Sequence, residues 1–305
     1  MNILEISDLH MSFGSNQVLR GLNMAVPEHA IYGFVGRNGA GKTTTMKIVL
    51  GLLKAQSGSV TVCGEKVSCG SARTNRHIGY LPDVPEFYGY MRPREYLKLC
   101  GEITGLPAAE IKSRSAELLE LVGLAGVNRR ISGFSRGMKQ RLGIAQALLN
   151  KPRLLICDEP TSALDPIGRR QVLEILSAIR GQTTVVFSTH ILSDVERICD
   201  HIAVLEQGRL ALAGTLSEIQ KQHRRNSFRI RFAAEEEGRA FSQLAELDRP
   251  GIELELEGRE LQIVSGDDSI GGQELIDLLS AQQIAPEKFE AMEPTLEDLF
   301  TEVVK

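Results

Sequence analysis

Gly36-Arg37-Asn38-Gly39-Ala40-Gly41-Lys42-Thr43 fits the spacing GxxxxGK[ST] at every required position. A polyphosphate is held by several backbone N–H groups converging on its oxygens. Glycines let the chain wrap that closely because no Cβ stands in the way. Gly36, Arg37, Asn38, Gly39, Ala40, Gly41, Lys42, Thr43 and Thr44 are therefore the expected phosphate-binding residues. Lys42 would reach the β- and γ-phosphates, and the Thr43 hydroxyl would ligate Mg²⁺. The apolar run Ala30 to Val35 reads as a buried strand before the loop, and Thr43 to Leu53 as a helix after it. The positive end of that helix would face the phosphates.

A second buried strand, Arg153 to Glu159, ends in two carboxylates. A carboxylate at the end of a strand beside the loop strand can bind the hydration shell of Mg²⁺, which suits Asp158. Glu159, one residue on, is placed to orient and deprotonate an attacking water. A kinase with this loop would not need the second carboxylate; hydrolysis of a nucleoside triphosphate would.

Between the two motifs runs Phe134-Ser135-Arg136-Gly137-Met138-Lys139-Gln140-Arg141-Leu142, entering a helical pattern that continues to Leu149. Here the chain resembles the ATP-binding subunits of ABC transporters over roughly residues 1–220. Their signature is LSGGQ; this chain reads FSRGM, keeping Ser135 and Gly137 and departing at Arg136 and Met138. Ser162-Ala163-Leu164-Asp165 resembles the D-loop, and Ser188-Thr189-His190 the switch-histidine motif after the apolar strand Thr184 to Phe187. Phe13 occupies the position of the aromatic residue that stacks on adenine. Where the family reads IGYLPQ, this chain reads Ile78-Gly79-Tyr80-Leu81-Pro82-Asp83. Asp83 keeps an oxygen for a magnesium-bound water but loses the amide donor. Either the position accepts any short acceptor, or coupling between nucleotide state and the partner is altered.

The resemblance implies an ATPase that uses ATP and Mg²⁺, with Glu159, His190 and Lys42 catalytic and Thr43, Asp158 and Asp83 around the metal. It also implies that Ser135 and Gly137, at a helix N-terminus, close over the ATP held by a second ATP-binding subunit. Because Lys42, Asp158, Glu159 and His190 are all present, a homodimer with two competent sites is expected. Arg136 is expected to point to water rather than to the partner's phosphate. A multi-spanning permease would supply the membrane path and the cargo contacts. The alternatives are a soluble ABC-type ATPase of translation or DNA repair and a nucleotide sensor without turnover. Neither a second cassette nor an inserted coiled coil or zinc module accompanies the motifs, and Glu159 with His190 argues against the sensor.

A length of 305 residues accommodates two domains. Net charge is -4 and the pI is near 6.0, offering no overall attraction to nucleic acid. No apolar run approaches the roughly 18 residues of a transmembrane helix, and the start lacks a secretory signal. Five scattered cysteines, an odd number, suit a reducing compartment. The expected location is the cytoplasmic side of the membrane, peripheral and held through the permease. Cys63 and Cys69 lack the further ligands of a metal site, and Cys157 reads as a small buried hydrophobe.

The fold expected is an α/β P-loop NTPase of ABC type at residues 1–220. It combines a parallel core sheet, an antiparallel N-terminal sheet with strands at Ile3 to Ile6 and Val18 to Val26, and a helical subdomain at about 85–150. Residues 225–305 read as strands at Ser227 to Phe232, Ile252 to Glu257, Glu260 to Val264 and Lys288 to Met292. Helices at Glu235 to Leu247 and Gln273 to Gln283 separate them. This is the β-α-β-β-α-β order of a small ferredoxin-like α+β domain. Thr295 and Asp298 resemble a capping box before a closing helix with Leu299, Phe300 and Val303. The segment resembles the tails of drug-export and bacteriocin-immunity ATPases. It carries no catalytic constellation and reads as a packing or dimer-bracing module, with ligand sensing as the alternative. The run His223-Arg224-Arg225 with Arg229 and Arg231 reads as solvated surface rather than a lipid contact.

Overall fold

The computed structural model describes residues 1–222, 226–265, 270–292 and 296. The chain divides into two compact units with the boundary at Leu216/Ser217.

The first unit opens with a hairpin of β1 (Asn2–Phe13) and β2 (Asn16–Pro27). β1 runs well past the expected Ile3 to Ile6, because a bulge at Asp8 (φ 48°) absorbs the break in apolar alternation and restores the register. β3 (Ile31–Val35) is buried throughout and feeds the glycine-rich loop, which ends at α1 (Lys42–Val49). α1 stops short of the expected Leu53: Gly51 turns left-handed (φ 69°), and the Leu52 and Leu53 N–H groups fold back onto Lys47 O. β4 (Ser57–Val62) and β5 (Glu65–Lys66) complete an antiparallel sheet of order β2-β1-β4-β5.

After β6 (Ile78–Leu81) come α2 (Pro93–Ile103), α3 (Ala108–Leu121) and α4 (Arg136–Leu148). The chain then returns as β7 (Leu154–Asp158), α5 (Pro166–Ala178), β8 (Thr184–Thr189), α6 (Leu192–Ile198), β9 (His201–Glu206) and β10 (Arg209–Thr215). The central sheet has order β10-β9-β3-β8-β7-β6, parallel except for the β9–β10 hairpin. β8 stands between β3 and β7, so the Asp158 strand is not beside the loop strand as the sequence suggested. Leu9, Leu19, Leu22 and Val26 of the antiparallel sheet pack with Phe34, Leu154, Ile156 and Leu205 of the central sheet in one core. This packing anchors the loop strand from one face.

The second unit follows α7 (Leu216–Gln222) with β11 (Asn226–Arg231), α8 (Glu235–Ser242), β12 (Ile252–Glu257), β13 (Glu260–Ser265), α9 (Gly272–Ala281) and β14 (Lys288–Met292). Its sheet order β12-β13-β11-β14, antiparallel throughout, is the ferredoxin-like arrangement. Phe228, Ile230, Phe232, Phe241, Leu261, Ile263 and Leu275 form its core. α8 ends five residues before the expected Leu247. Residues 223–225, Thr295, Asp298, Leu299, Phe300 and Val303 lie outside the described residues.

Candidate nucleotide-binding and hydrolytic site

Parallel strands end on one edge, and three carboxyl ends meet there: β3 delivers the loop, β7 the two carboxylates, β8 the Ser188-Thr189-His190 turn. Ligands of open α/β sheets sit in such a crevice. The loop is pressed tightly onto its neighbours. A Cβ on Gly36 would stand 2.6 Å from Leu205 O, and one on Gly41 (φ 114°) 2.8 Å from Leu19 Cδ2. Residues Arg37 to Gly39 are exposed at the tip of the loop.

Lys42 is buried, and its ammonium lies 2.6 Å from Gly36 O, 3.3 Å from Arg37 O and 3.3 Å from Glu159 Oε1. Its three donors thus have three acceptors. Thr43 Oγ1 donates to Asp158 Oδ2 at 2.8 Å, although 115 residues separate them. Ser188, fully buried on the intervening strand, donates to the other oxygen, Asp158 Oδ1, at 2.6 Å. The Glu159 N–H reaches both Ser188 O and Ser188 Oγ at 3.1 Å. Glu159 itself has left the strand with φ 48°, a strained conformation for a side-chain-bearing residue. That turn aims its carboxylate back at the crevice, where Oε2 lies 2.9 Å from His190 Nδ1.

Lys42, Thr43, Asp158, Glu159 and His190 are therefore brought together. Asp158 and Thr43 give one carboxylate and one hydroxyl, a donor set that fits Mg²⁺, which prefers oxygen, keeps several waters and takes the rest of its shell from substrate phosphates. Among the described residues no group of three or more His, Cys, Asp and Glu side chains forms a metal cage. Phe13 is 51% exposed at the end of β1, on the hairpin whose Val18 and Leu19 touch Gly41. Ser135 is the N-cap of α4, accepting from Met138 N at 3.3 Å, and Gly137 lies in its first turn. Asp83, just past β6, contacts Arg136 at 3.3 Å and no other site residue through a hydrogen bond or ion pair.

Sequence reasoning gave no role to Asp194. Its carboxylate, 2% exposed, accepts from Thr161 Oγ1 at 2.7 Å and Arg169 Nε at 2.6 Å. It thereby ties α6, just beyond His190, to the turn after Glu159 and to α5. An acid in the first turn of a short helix was the available signal.

A glycine-rich loop between a buried strand and a helix, facing a strand-end carboxylate pair across a parallel sheet, defines a P-loop nucleoside triphosphatase. The ABC transporter profile matches residues 19–162, and the profile for the C-terminal domain of DrrA1-3-like ATP-binding proteins matches 214–304. The chain belongs to the ABC transporter ATP-binding family. It is 40% identical to the ABC transporter ATP-binding protein YxlF of Bacillus subtilis, over 77% of this chain and 79% of that one. Identity is also 40% to the bacitracin transport ATP-binding protein BcrA of Bacillus licheniformis, over 73% of each chain. The ABC transporter ATP-binding protein YhcH of Bacillus subtilis is 32% identical over 99% of this chain and 95% of that one. A solved ATP-binding subunit of an ABC transporter superposes with a TM-score of 0.65 at 33% identity, covering 72% of this chain and 92% of that one. The chain is accordingly an ATP-binding ATPase of this family. Among the described residues no helix is long and apolar enough to cross a membrane.

Proposed function

We propose that two copies of this chain close over two MgATP and drive a separate multi-spanning permease from its cytoplasmic face, in a transport system of the kind that BcrA's name describes. The observation carrying this reading is the Glu159 carboxylate. It is bridged between Lys42 and His190, beside an Asp158 already bonded to Thr43.

Lys42 neutralises the β- and γ-phosphate oxygens, and the loop N–H groups hold them. Mg²⁺, when bound, offsets charge on the transferred phosphoryl group. Glu159 takes the proton of the attacking water as the water oxygen bonds to the γ-phosphorus and the bond from that phosphorus to the β–γ bridging oxygen breaks, releasing ADP and phosphate. His190 fixes the Glu159 carboxylate through Oε2 and is exposed enough to face the γ-phosphate. Phe13 stacks on adenine. Asp83 would reach a metal-bound water on leaving Arg136. The helix start at Ser135 and Gly137 is open, since a Cβ on Gly137 would meet nothing closer than 3.9 Å. It presents N–H groups and a positive dipole end to a partner's γ-phosphate.

Tagged protein recovered from its native membranes is expected to bring a multi-spanning protein with it and to hydrolyse ATP when Mg²⁺ is supplied. Recovery on ribosomes or DNA instead, with no membrane partner, would favour the soluble ATPase.

A further inference from the structure

We propose that Ser188 is a positioning residue for hydrolysis: one hydroxyl sets both the metal-side carboxylate and the peptide that carries the base. The inference rests on the roles given above to Asp158 and Glu159.

A hydroxyl has one proton and two lone pairs. At Ser188 the proton goes to Asp158 Oδ1 at 2.6 Å, and a lone pair faces the Glu159 N–H at 3.1 Å. The side chain is fully buried, so water does not compete for either bond. Asp158 pairs with Ser188 across the β7–β8 ladder. Because β8 is paired directly with β7, its last residues reach both carboxylate positions.

Two consequences follow. With Oδ1 occupied by Ser188, Asp158 has one rotation left, in which Oδ2 faces Thr43 at 2.8 Å. The oxygen offered to the metal side is thereby fixed. The Glu159 peptide, held at φ 48°, is anchored through a shared N–H to Ser188 O and Oγ. Losing Oγ would leave Asp158 Oδ1 short of a buried donor and free the carboxylate to turn. Outer partners that orient metal-binding carboxylates are worth about 10- to 100-fold in metal affinity or activity.

The test compares wild type, Ser188→Ala and Ser188→Thr, with Glu159→Gln as the control for the base. Measured are ATP affinity without Mg²⁺, the Mg²⁺ concentration giving half-maximal turnover, and kcat at saturating Mg²⁺. Ser188→Ala is expected to keep Mg²⁺-free ATP affinity within about twofold, raise the half-maximal Mg²⁺ concentration about 10-fold and lower kcat about 10- to 100-fold. Ser188→Thr, which restores the hydroxyl, is expected to recover most of the loss. A Ser188→Ala enzyme whose Mg²⁺ midpoint stays at the wild-type value overturns the proposal, whether kcat is unchanged or merely scaled by a smaller folded fraction. If Glu159→Gln also turns over normally, the functional reading fails instead, which separates the two failures.

Discussion

Arg136 Nη2 lies 3.3 Å from Asp83 Oδ1, joining the first residue of α4 to the loop that follows β6. These are two of the positions where the chain departs from the ABC pattern, and the departures are partners. An amide at 83 and a glycine at 136 would leave neither charge, so each replacement supplies the counter-ion for the other. Arg136 rests its guanidinium against Asp83, which takes part of its charge.

Both side chains are nearly half exposed, at 45% and 46%, so their attraction is modest. A double-mutant cycle on Asp83→Asn and Arg136→Gly, read by chemical denaturation, is expected to give a coupling of about 0.2–1 kcal/mol. The coupling should vanish near 1 M salt, where the screening length falls to about 3 Å. A salt-insensitive coupling would mean that the contact is not ionic.

Phe13→Ala is expected to raise KM for ATP by about tenfold, the size of one aromatic–base stack, and to leave kcat intact. Steady-state kinetics at saturating ATP separate the two effects. A fall in kcat with unchanged KM would remove Phe13 from the adenine site.

Asp194→Ala deletes a buried acceptor, leaving Thr161 Oγ1 without it and Arg169 with its bond to Ser193 alone. Breaking a buried ion pair from one side costs about 3–5 kcal/mol, and the partial exposure of Arg169 places this one toward the lower end. Urea denaturation of the full chain measures it. A loss under about 1 kcal/mol, the range of an exposed pair, would show that the clamp between α6 and α5 adds little.

Burial pushes the thiols of Cys157 and Cys199 well above their ordinary range, which keeps them in the unreactive protonated form. Cys69 is exposed. Iodoacetamide near pH 8, followed by peptide mass spectrometry, is expected to label Cys69 first and to spare Cys157 and Cys199 until the protein unfolds.

The loop Gly36 to Thr43 and the Asp158-Glu159 pair were readable because each is a local string whose chemistry needs adjacent residues. The ferredoxin-like order of the second unit was readable from local signals too: Ile252 to Glu257 alternates apolar and polar side chains throughout, and Gly258-Arg259 marks the turn into the next strand. What escaped was contact across the sheet. Ser188 sits at the end of an apolar run like any strand-end serine, and only the insertion of β8 beside β7 brings it to Asp158. The Arg136–Asp83 pair spans 53 residues with no periodic signal to link them. Length errors had local causes, a bulge at Asp8 and a left-handed Gly51, where backbone geometry overrode the apolar pattern.

The most direct test of the hydrolytic reading is Glu159→Gln, which removes the base and keeps its shape. Turnover and ATP-dependent size are measured together on the purified chain in Mg²⁺. Predicted are a kcat reduced by about 100-fold or more, retained ATP affinity, and a stable ATP-bound dimer on size-exclusion chromatography that wild type forms only transiently. A Glu159→Gln protein that hydrolyses ATP at the wild-type rate and stays monomeric in ATP would contradict the account.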